Sequence, residues 1–203
     1  LPNYLETCGK GLWCFLTCNH DTVRPRFNLT PEELKLAYSF LFTMPGAPFL
    51  YYGDEIGMRY RRLPSKEGGY NRTGSRTPMQ WSAGKNLGFS ESEPEKLYLP
   101  VDPAADAPTV QAQEADPNSL LNYTKAIIAL RHSQPDLQAR SPFQVYFAQP
   151  GSRLLAYRRG RLLCAVNPGH EEQTLELDRP YRILFSHGPV SLTGRTLHMQ
   201  GFA

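Results

Sequence analysis

The sequence predicts an α/β domain followed by a small all-β domain. Two apolar segments, residues 12–18 and 48–52, have the character of buried strands, and a helical pattern separates them. Beyond about residue 140 the pattern changes to short alternating strands between turn clusters. We therefore divide the chain into residues 1–140, which hold the α/β part, and residues 141–203, which we predict to form an antiparallel β-sandwich.

A charged cluster follows the first predicted strand. The apolar run 12–18 ends at Asn19, His20 and Asp21, and Arg24 lies three residues further along. Asn and Asp are ordinary turn residues, so the cluster taken alone favours a polar turn. In a parallel α/β sheet, however, ligands bind at the carboxyl ends of the strands. Their position at a strand end therefore makes these side chains the first candidates for a functional site.

A capped helix connects the two predicted strands. Thr30 as N-cap, Pro31 at the first helical position and Glu33 three residues after the cap form a capping box. The pair Pro45-Gly46 ends the pattern. The apolar residues of the helix recur at spacings of three and four and are Leu34, Ala37, Tyr38, Leu41 and Phe42. Because a strand, helix, strand unit makes its strands parallel, both strand ends should emerge on one face of the sheet.

The rest of the chain divides into a long loop, a second helix and the predicted sandwich. Residues 59–115 show no periodicity and hold many Gly, Pro, Ser and Glu residues, which predicts a long functional loop. The second helix is predicted to start with Asp116 as N-cap and Pro117 behind it, and to end before Pro135. The strands predicted for the sandwich are residues 143–147, 162–166, 174–177, 181–185, 190–192 and 197–202.

Composition limits the classes of partner. The net charge is +3 and the Lys and Arg residues are spread along the chain, which argues against nucleic acid. No apolar stretch reaches the ~20 residues of a membrane span, so we expect no membrane contact and a cytoplasmic location. Cys8, Cys14, Cys18 and Cys164 match neither a disulfide framework nor a metal site. Without an EF-hand pattern or a His-rich cluster, no metal and no cofactor is expected.

Four ordered motifs carry a resemblance to a known family. Residues 15–21 (FLTCNHD) together with Arg24 resemble the strand-seven motif of the α-amylase family, glycoside hydrolase family 13. Residues 45–58 (PGAPFLYYGDEIGM) resemble the strand-eight segment of that family. Residues 76–81 (RTPMQW) resemble a strand-eight loop motif of its α-glucosidase and trehalose synthase branch. Residues 116–123 (DPNSLLNY) match the opening of the last barrel helix.

The resemblance implies a fold and an activity. Residues 1–140 would supply the last two βα units of a (β/α)8 TIM barrel, beginning near the end of the sixth helix at residues 1–6, and the β-sandwich would follow. The chain then lacks the strands that carry the nucleophile and the general acid/base. The implied function is the carboxyl-terminal part of a retaining α-glucosidase-like glycoside hydrolase that acts on short α-linked glucosides and is inactive alone.

The resemblance also implies roles for individual residues. Asp21 would be the third carboxylate of the active site, with a catalytic role because its hydrogen bonds to sugar hydroxyls strengthen in the transition state. His20 would donate to the same hydroxyls, and Arg24 would hold a carboxylate or hydroxyl at the mouth. Arg76 would lie near the substrate, where a guanidinium can orient a carboxylate, or would be a solvated loop arginine.

Other polar and aromatic residues are given mainly structural roles. For Asp54 and Glu55, at the end of the second strand, we expect hydrogen bonds to loop amides or a pair with an arginine. Tyr52 and Trp81 are able to stack on a sugar, but single aromatic residues of this kind more often pack.

Two alternatives remain at this stage. The first is a maltose/trehalose glucosyl isomerase, because the choice between hydrolysis and isomerisation depends on water access in a pocket whose other walls are missing. The second is a non-catalytic remnant or a structural or carbohydrate-contact domain. Two parallel strands cannot close a barrel, so the expected partners besides an oligosaccharide are the missing amino-terminal barrel portion or a second copy of this chain.

Overall fold

The computed structural model describes residues 11–65 and 72–203. Cys8 and the barrel-helix end predicted at residues 1–6 lie outside the described residues. The described chain divides into two compact units, one made of residues 14–34 and 47–129 and the other including residues 35–46 and 130–203. The division predicted at residue 140 stays a prediction. Within the described residues, no helix has the length and apolar character needed to cross a bilayer.

Two short parallel strands precede the polar residues singled out in the sequence. Strands β1 (Cys14–Leu16) and β2 (Ala47–Phe49) pair in parallel, with Cys14 opposite Ala47 and Leu16 opposite Phe49. The parallel arrangement was expected from the intervening helix and is confirmed. Both strands are shorter than predicted. One further hydrogen bond, from the Thr17 amide to the Phe49 carbonyl at 3.1 Å, continues the ladder before the chains turn away.

Helix α1 spans Pro31–Thr43 and begins as predicted. The Thr30 amide donates to the Glu33 carboxylate at 2.7 Å, and the Glu33 amide donates to the Thr30 hydroxyl at 3.2 Å, which is the reciprocal capping box. The predicted apolar face is buried at Leu34, Tyr38, Leu41 and Phe42, with Ala37 half-buried. The helix ends two residues before Pro45, as the sequence indicated.

Two buried arginines satisfy the carbonyl groups at the end of α1. Arg131 donates to the carbonyls of Phe42 and Met44 at 2.7 and 2.8 Å, and to that of Gly46 at 2.7 Å. Arg159 donates to the Thr43 carbonyl. The last carbonyls of a helix have no intrahelical donor and carry partial negative charge, so a buried guanidinium both pairs them and complements the helix dipole.

The loop predicted over residues 59–115 is partly ordered into short helices. It contains 3-10 turns at Thr73–Ser75, Lys85–Gly88 and Pro94–Lys96, and helix α2 at Val110–Ala115. The prediction of no regular structure is therefore wrong at the end of this segment. Helix α2 is capped by the Thr109 hydroxyl, which accepts from the Ala112 amide at 3.2 Å. Six residues are too few for a 3.6-residue period to show in the sequence.

Helix α3 spans Leu120–Ser133, and its cap differs from the prediction. Ser119, not Asp116, is the N-cap, because the Ser119 hydroxyl accepts from the Asn122 amide at 3.1 Å. Asp116 instead ends α2, and its carboxylate accepts from the Asn118 amide at 2.8 Å in a local turn. The segment offers two capping side chains, and the one next to the apolar run is used.

Two three-stranded antiparallel sheets complete the chain. The first has the order β3 (Phe143–Ala148), β4 (Leu155–Arg159), β5 (Leu162–Val166), and the second the order β6 (Gln173–Glu176), β8 (Thr196–Met199), β7 (Val190–Thr193). Buried side chains from both sheets and from residues that flank their strands form one apolar cluster: Leu154, Ala156, Leu175, Leu177, Leu197, Met199 and Ala203. Five of the predicted strands are found, and none of their ends differs from the prediction by more than three residues.

One predicted strand is absent, and one observed strand was not predicted. Residues 181–185 do not form a strand, and Ile183 and Leu184 are each 44% exposed. The apolar content suggested a buried strand, but Pro180 precedes the segment and none of the described strands pairs with it. Strand β4 was not predicted. Ala156 and Tyr157 are both fully buried although they point to opposite faces, so β4 lacks the alternation that marks a half-exposed strand.

Replacing Arg131 with Met should lower the free energy of unfolding by about 3 kcal/mol, because three carbonyl groups lose charged donors in a buried environment. Urea unfolding monitored by circular dichroism measures the change. Arg140→Met is the matched control, since Arg140 is exposed and its loss should cost less than about 0.5 kcal/mol. An equal effect of both substitutions would contradict this role, because it would show that water pairs these carbonyls as well as Arg131 does.

Candidate functional site

A tight turn presents His20 and Asp21 after β1. The Asn19 side chain accepts from the Asp21 amide at 2.8 Å, and the Thr22 hydroxyl accepts from the Asn19 amide at 3.0 Å. A further bond from the Thr22 amide to the Asn19 carbonyl, at 3.3 Å, closes the turn. His20 and Asp21 lie at its tip, with 64% and 51% of their side chains exposed. The turn therefore fixes the backbone at His20 and Asp21 and leaves both side chains partly exposed to solvent.

A second segment lies against this turn. It is the 3-10 turn Thr73–Ser75 with an arginine on each side, Arg72 and Arg76. Gly74 lies so close to the preceding loop that a Cβ there would come within 1.7 Å of the Arg61 carbonyl oxygen. The Arg61 amide also donates to the Gly74 carbonyl at 3.2 Å. Only glycine permits this close approach, which sets where the two arginines leave the backbone.

The two arginines converge on Asp21. Arg76 Nη2 lies 3.0 Å and Arg72 Nη1 3.3 Å from Asp21 Oδ1, while His20 Nε2 lies 3.2 Å from Asp21 Oδ2. Arg76 Nε also donates to the His20 carbonyl at 2.9 Å. The structure thus brings together three predicted site residues, Asp21, His20 and Arg76. Arg72 was missed, because no motif marks it and only the fold brings it near Asp21.

His20 and the two arginines together lower the pKa of Asp21. Desolvation raises the pKa of this carboxyl, but the electrostatic interaction with His20 and the hydrogen bonds from Arg72 and Arg76 outweigh it. The net result is an Asp21 pKa below its ordinary value. At neutral pH Asp21 is therefore a carboxylate that accepts hydrogen bonds and does not donate a proton.

Arg24, predicted to lie at the mouth, is instead buried. Its Nη1 donates to the Tyr52 carbonyl at 2.7 Å and to Asp54 Oδ1 at 2.8 Å, and its Nη2 donates to the Ser75 carbonyl at 2.9 Å. The guanidinium carbon lies 5.0 Å from the ring centre of Tyr51 and 4.9 Å from that of Tyr52. Because these groups surround the guanidinium, its Nη atoms are not offered to a sugar.

Asp54 pairs with an arginine, which is one of the two roles expected for it. Its second oxygen, Oδ2, accepts from the Thr17 hydroxyl at 2.5 Å and from the Cys18 thiol at 3.1 Å. Burial, followed by the contact with Asp54, raises the pKa of Cys18, so this thiol stays protonated and donates. Gly53, at φ +82, provides the left-handed backbone that turns Asp54 inwards after β2.

A cavity of about 500 Å³ lies beside Arg76. Besides Arg76 its lining includes Tyr52, Glu55, Trp81, Phe89 and Tyr98. Burial raises the pKa of Glu55, although the amides of Glu55 and Gly53 donate to its carboxylate and partly oppose the shift. Tyr52 and Trp81 are 40% and 50% exposed, so both present ring surface to the cavity. The arrangement combines aromatic faces with one cation and one acid.

A family model for the α-amylase catalytic domain matches residues 2–139. The chain belongs to the α-amylase family. The trehalose synthase/amylase TreS of Mycobacterium tuberculosis is 35% identical over 176 residues, covering 80% of this chain and 28% of that protein. A probable oligo-1,6-glucosidase of Bacillus subtilis is 33% identical over 159 residues, covering 61% of this chain and 28% of that protein. The motif resemblance to this branch of the α-amylase family is confirmed.

Solved structures resemble the fold of this chain over nearly its whole length. The α-glucosyl transfer enzyme XgtA superposes with a TM-score of 0.81 at 23% identity, covering 98% of this chain and 41% of that chain. A mutant isomaltulose synthase of Erwinia rhapontici gives a TM-score of 0.77 at 23% identity, covering 97% and 43%. The chain therefore spans less than half the length of these two solved structures and 28% of the two curated relatives named above.

Replacing Arg76 with Ala should raise the Asp21 pKa, because one of its two guanidinium donors is removed. The carboxyl carbon shift of Asp21, followed by NMR between neutral and acid pH, measures it. Since the folded pKa is depressed, the ion pairs of Asp21 persist at neutral pH and break as pH falls through that pKa. In the variant they should break at a higher pH.

The matched control for this titration is Arg59→Ala. Arg59 pairs with Asp106 at 2.7 Å and lowers the Asp106 pKa, so its loss should move Asp106 and leave Asp21 unchanged. An Asp21 titration that is identical in Arg76→Ala and in the wild type would contradict the role given to Arg76.

Proposed function

We propose that this chain is the carboxyl-terminal part of a retaining α-glucosidase-like glycoside hydrolase that acts on short α-linked glucosides. In this proposal β1 and β2 are the seventh and eighth strands of a (β/α)8 barrel, α3 is its last helix, and β3 to β8 form a β-sandwich. The observation that carries the proposal is Asp21, an ionised carboxylate at the end of a parallel strand, beside His20 and between two arginines.

The electrostatics of Asp21 suit the role of the third carboxylate. Retaining hydrolysis needs a nucleophile and a proton donor about 5 to 5.5 Å apart, around an oxocarbenium-like transition state. A carboxyl group with a depressed pKa is a poor proton donor but a strong acceptor for sugar hydroxyls. As positive charge develops on the ring, those hydrogen bonds strengthen, so they lower the barrier as well as improving binding. His20 lies beside Asp21, where it would donate to the same hydroxyls.

Arg76 and the adjoining cavity support a substrate of more than one sugar ring. Arg76 contacts Asp21 and also lines the cavity. If one sugar ring binds at Asp21, the next ring of the substrate would lie in the cavity near Tyr52 and Trp81. Aromatic faces pack against the apolar faces of sugars, and a few polar groups fix the orientation. In this proposal the nucleophile and the general acid belong to the part of the catalytic domain that this chain does not span.

A glucosyl isomerase is the second candidate. It is favoured by similarity, because trehalose synthases of Mycobacterium tuberculosis and Pimelobacter are 35% and 34% identical to this chain. The geometry of Asp21, His20 and Arg76 serves either activity, since both begin by breaking a glucosidic bond. The two candidates differ in whether water or the released sugar completes the reaction.

The 203-residue chain alone should release no glucose from maltose or isomaltose, because it carries neither of the two reacting carboxylates. A coupled glucose assay on the purified chain measures this. Release of glucose by a clean preparation would contradict the proposal, because it would require a nucleophile within the chain.

Joining the chain to the remaining catalytic part of the Mycobacterium tuberculosis relative should give glucose release from maltose, or trehalose formation if the isomerase proposal holds. In that protein Asp21→Asn should lower kcat/KM about 10³-fold, because the amide keeps the shape and loses the charge. Asp106→Asn, which alters another exposed carboxylate paired with arginine, should change it less than about twofold. Equal losses in both variants, or no turnover in a folded protein, would contradict the assignment of Asp21.

A further inference from the structure

Arg24 connects three separate parts of the chain through one planar side chain. It follows the turn that presents Asp21, and its donors reach the Tyr52 carbonyl after β2, the Asp54 carboxylate and the Ser75 carbonyl. The side chains of Arg24 and Asp54 are 0% and 1% exposed. None of these contacts involves a group that faces solvent at the tip of the turn.

Ser75 links Arg24 to the exposed cluster of His20, Asp21, Arg72 and Arg76. Its carbonyl accepts from Arg24 at 2.9 Å, and its hydroxyl donates to the Thr22 carbonyl at 2.5 Å. The next residue, Arg76, donates to the His20 carbonyl at 2.9 Å and to Asp21 Oδ1 at 3.0 Å. The segment 72–76 is therefore fastened to the turn at two buried or half-buried points, and Arg76 is aimed from there.

The buried pair is better suited to setting geometry than to adding stability. Removing two charges from water is costly, and apolar replacements of buried ion pairs are often as stable. A guanidinium, however, donates in fixed directions within one plane, and Asp54 is itself held by Thr17 and Cys18. The Arg24 guanidinium is therefore held in place by Asp54 and by the Ser75 carbonyl, and Asp54 is itself held by residues that follow β1.

We propose that Arg24, anchored by Asp54, is a positioning residue that aims Arg76 at Asp21. Arg24 acts on substrate only through Arg76 and Asp21. The consequence for sugar binding rests on the proposed function, whereas the consequence for the Asp21 and Arg76 contact does not.

Arg24→Lys tests the proposal in the 203-residue chain. Lysine keeps the charge but is a point donor that cannot hold Asp54, Tyr52 and Ser75 together in one plane. We expect the Asp21 pKa, measured by carboxyl NMR, to rise by about half a unit or more as Arg76 moves away. Arg59→Lys, at another arginine paired with aspartate, should leave the Asp21 titration unchanged. A purely structural role would lower the free energy of unfolding while leaving the Asp21 pKa of the folded protein unchanged, and that result would overturn the proposal.

Ser75→Ala gives a second, milder test that does not disturb the buried pair. It removes the hydroxyl bond to Thr22 and leaves the Ser75 carbonyl bonded to Arg24. We expect a smaller rise of the Asp21 pKa in the same direction. If Arg24→Lys does not fold, an unchanged Asp21 pKa in Ser75→Ala overturns the proposal.

The same variants separate this proposal from the proposed function. In the completed catalytic domain, Arg24→Lys should lower kcat more than it raises KM, with a loss smaller than that of Asp21→Asn. Loss of activity in Asp21→Asn with no effect of Arg24→Lys would retain the function and reject the positioning role. A shifted Asp21 pKa without any saccharide turnover would reject the function and retain the positioning role.

Discussion

The buried ion pair between Arg24 and Asp54 joins the segments that follow the two parallel strands. Two short strands alone leave the loops that follow them free to diverge. Here Asp54, which follows β2, accepts from Thr17 and Cys18, which follow β1, while Arg24 extends to the Ser75 carbonyl. Tyr51 and Tyr52 cover the guanidinium and keep water from competing for its donors. The cluster around Asp21 is joined to this arrangement through Ser75, whose carbonyl accepts from Arg24 and whose hydroxyl donates to the Thr22 carbonyl.

The other compact unit uses a guanidinium in a related way. Arg131 and Arg159 donate to backbone carbonyls at the end of α1, where a helix leaves acceptors without intrahelical partners. A planar cation with five donors can pair several carbonyls that point in different directions, which no neutral side chain does as well. In both units, therefore, a buried arginine fixes the place where a regular element gives way to loop.

The sequence was informative where a short-range rule determines the structure. The capping box at Thr30 and Glu33 and the parallel pairing of β1 and β2 follow from local spacing and chain order, and both are found. The helix cap at Ser119 was missed because Asp116 satisfies the same rule, and only the hydrogen bonds distinguish the two. Strand β4 was missed because burial of both faces removes the alternation on which the prediction depends.

The candidate site was predictable in part for the same reason. The placement of His20 and Asp21 follows from the turn chemistry of Asn19, three residues after β1 ends. The direction of Arg24 does not follow, because three residues of separation in the sequence say nothing about which side of the backbone the side chain takes. Arg72 reaches Asp21 across 51 positions of sequence, a contact that depends on the path of a loop without periodicity.

The close approach at Gly74 makes the path of the loop backbone a condition for the contacts of Asp21. With a Cβ only 1.7 Å from the Arg61 oxygen, any other amino acid would have to displace the main chain that carries both arginines. A change of this kind adds no charge and removes none, yet it would separate two cations from the carboxylate they flank. The arrangement around Asp21 should therefore tolerate substitution poorly at Gly74, a position that contributes no side chain to it.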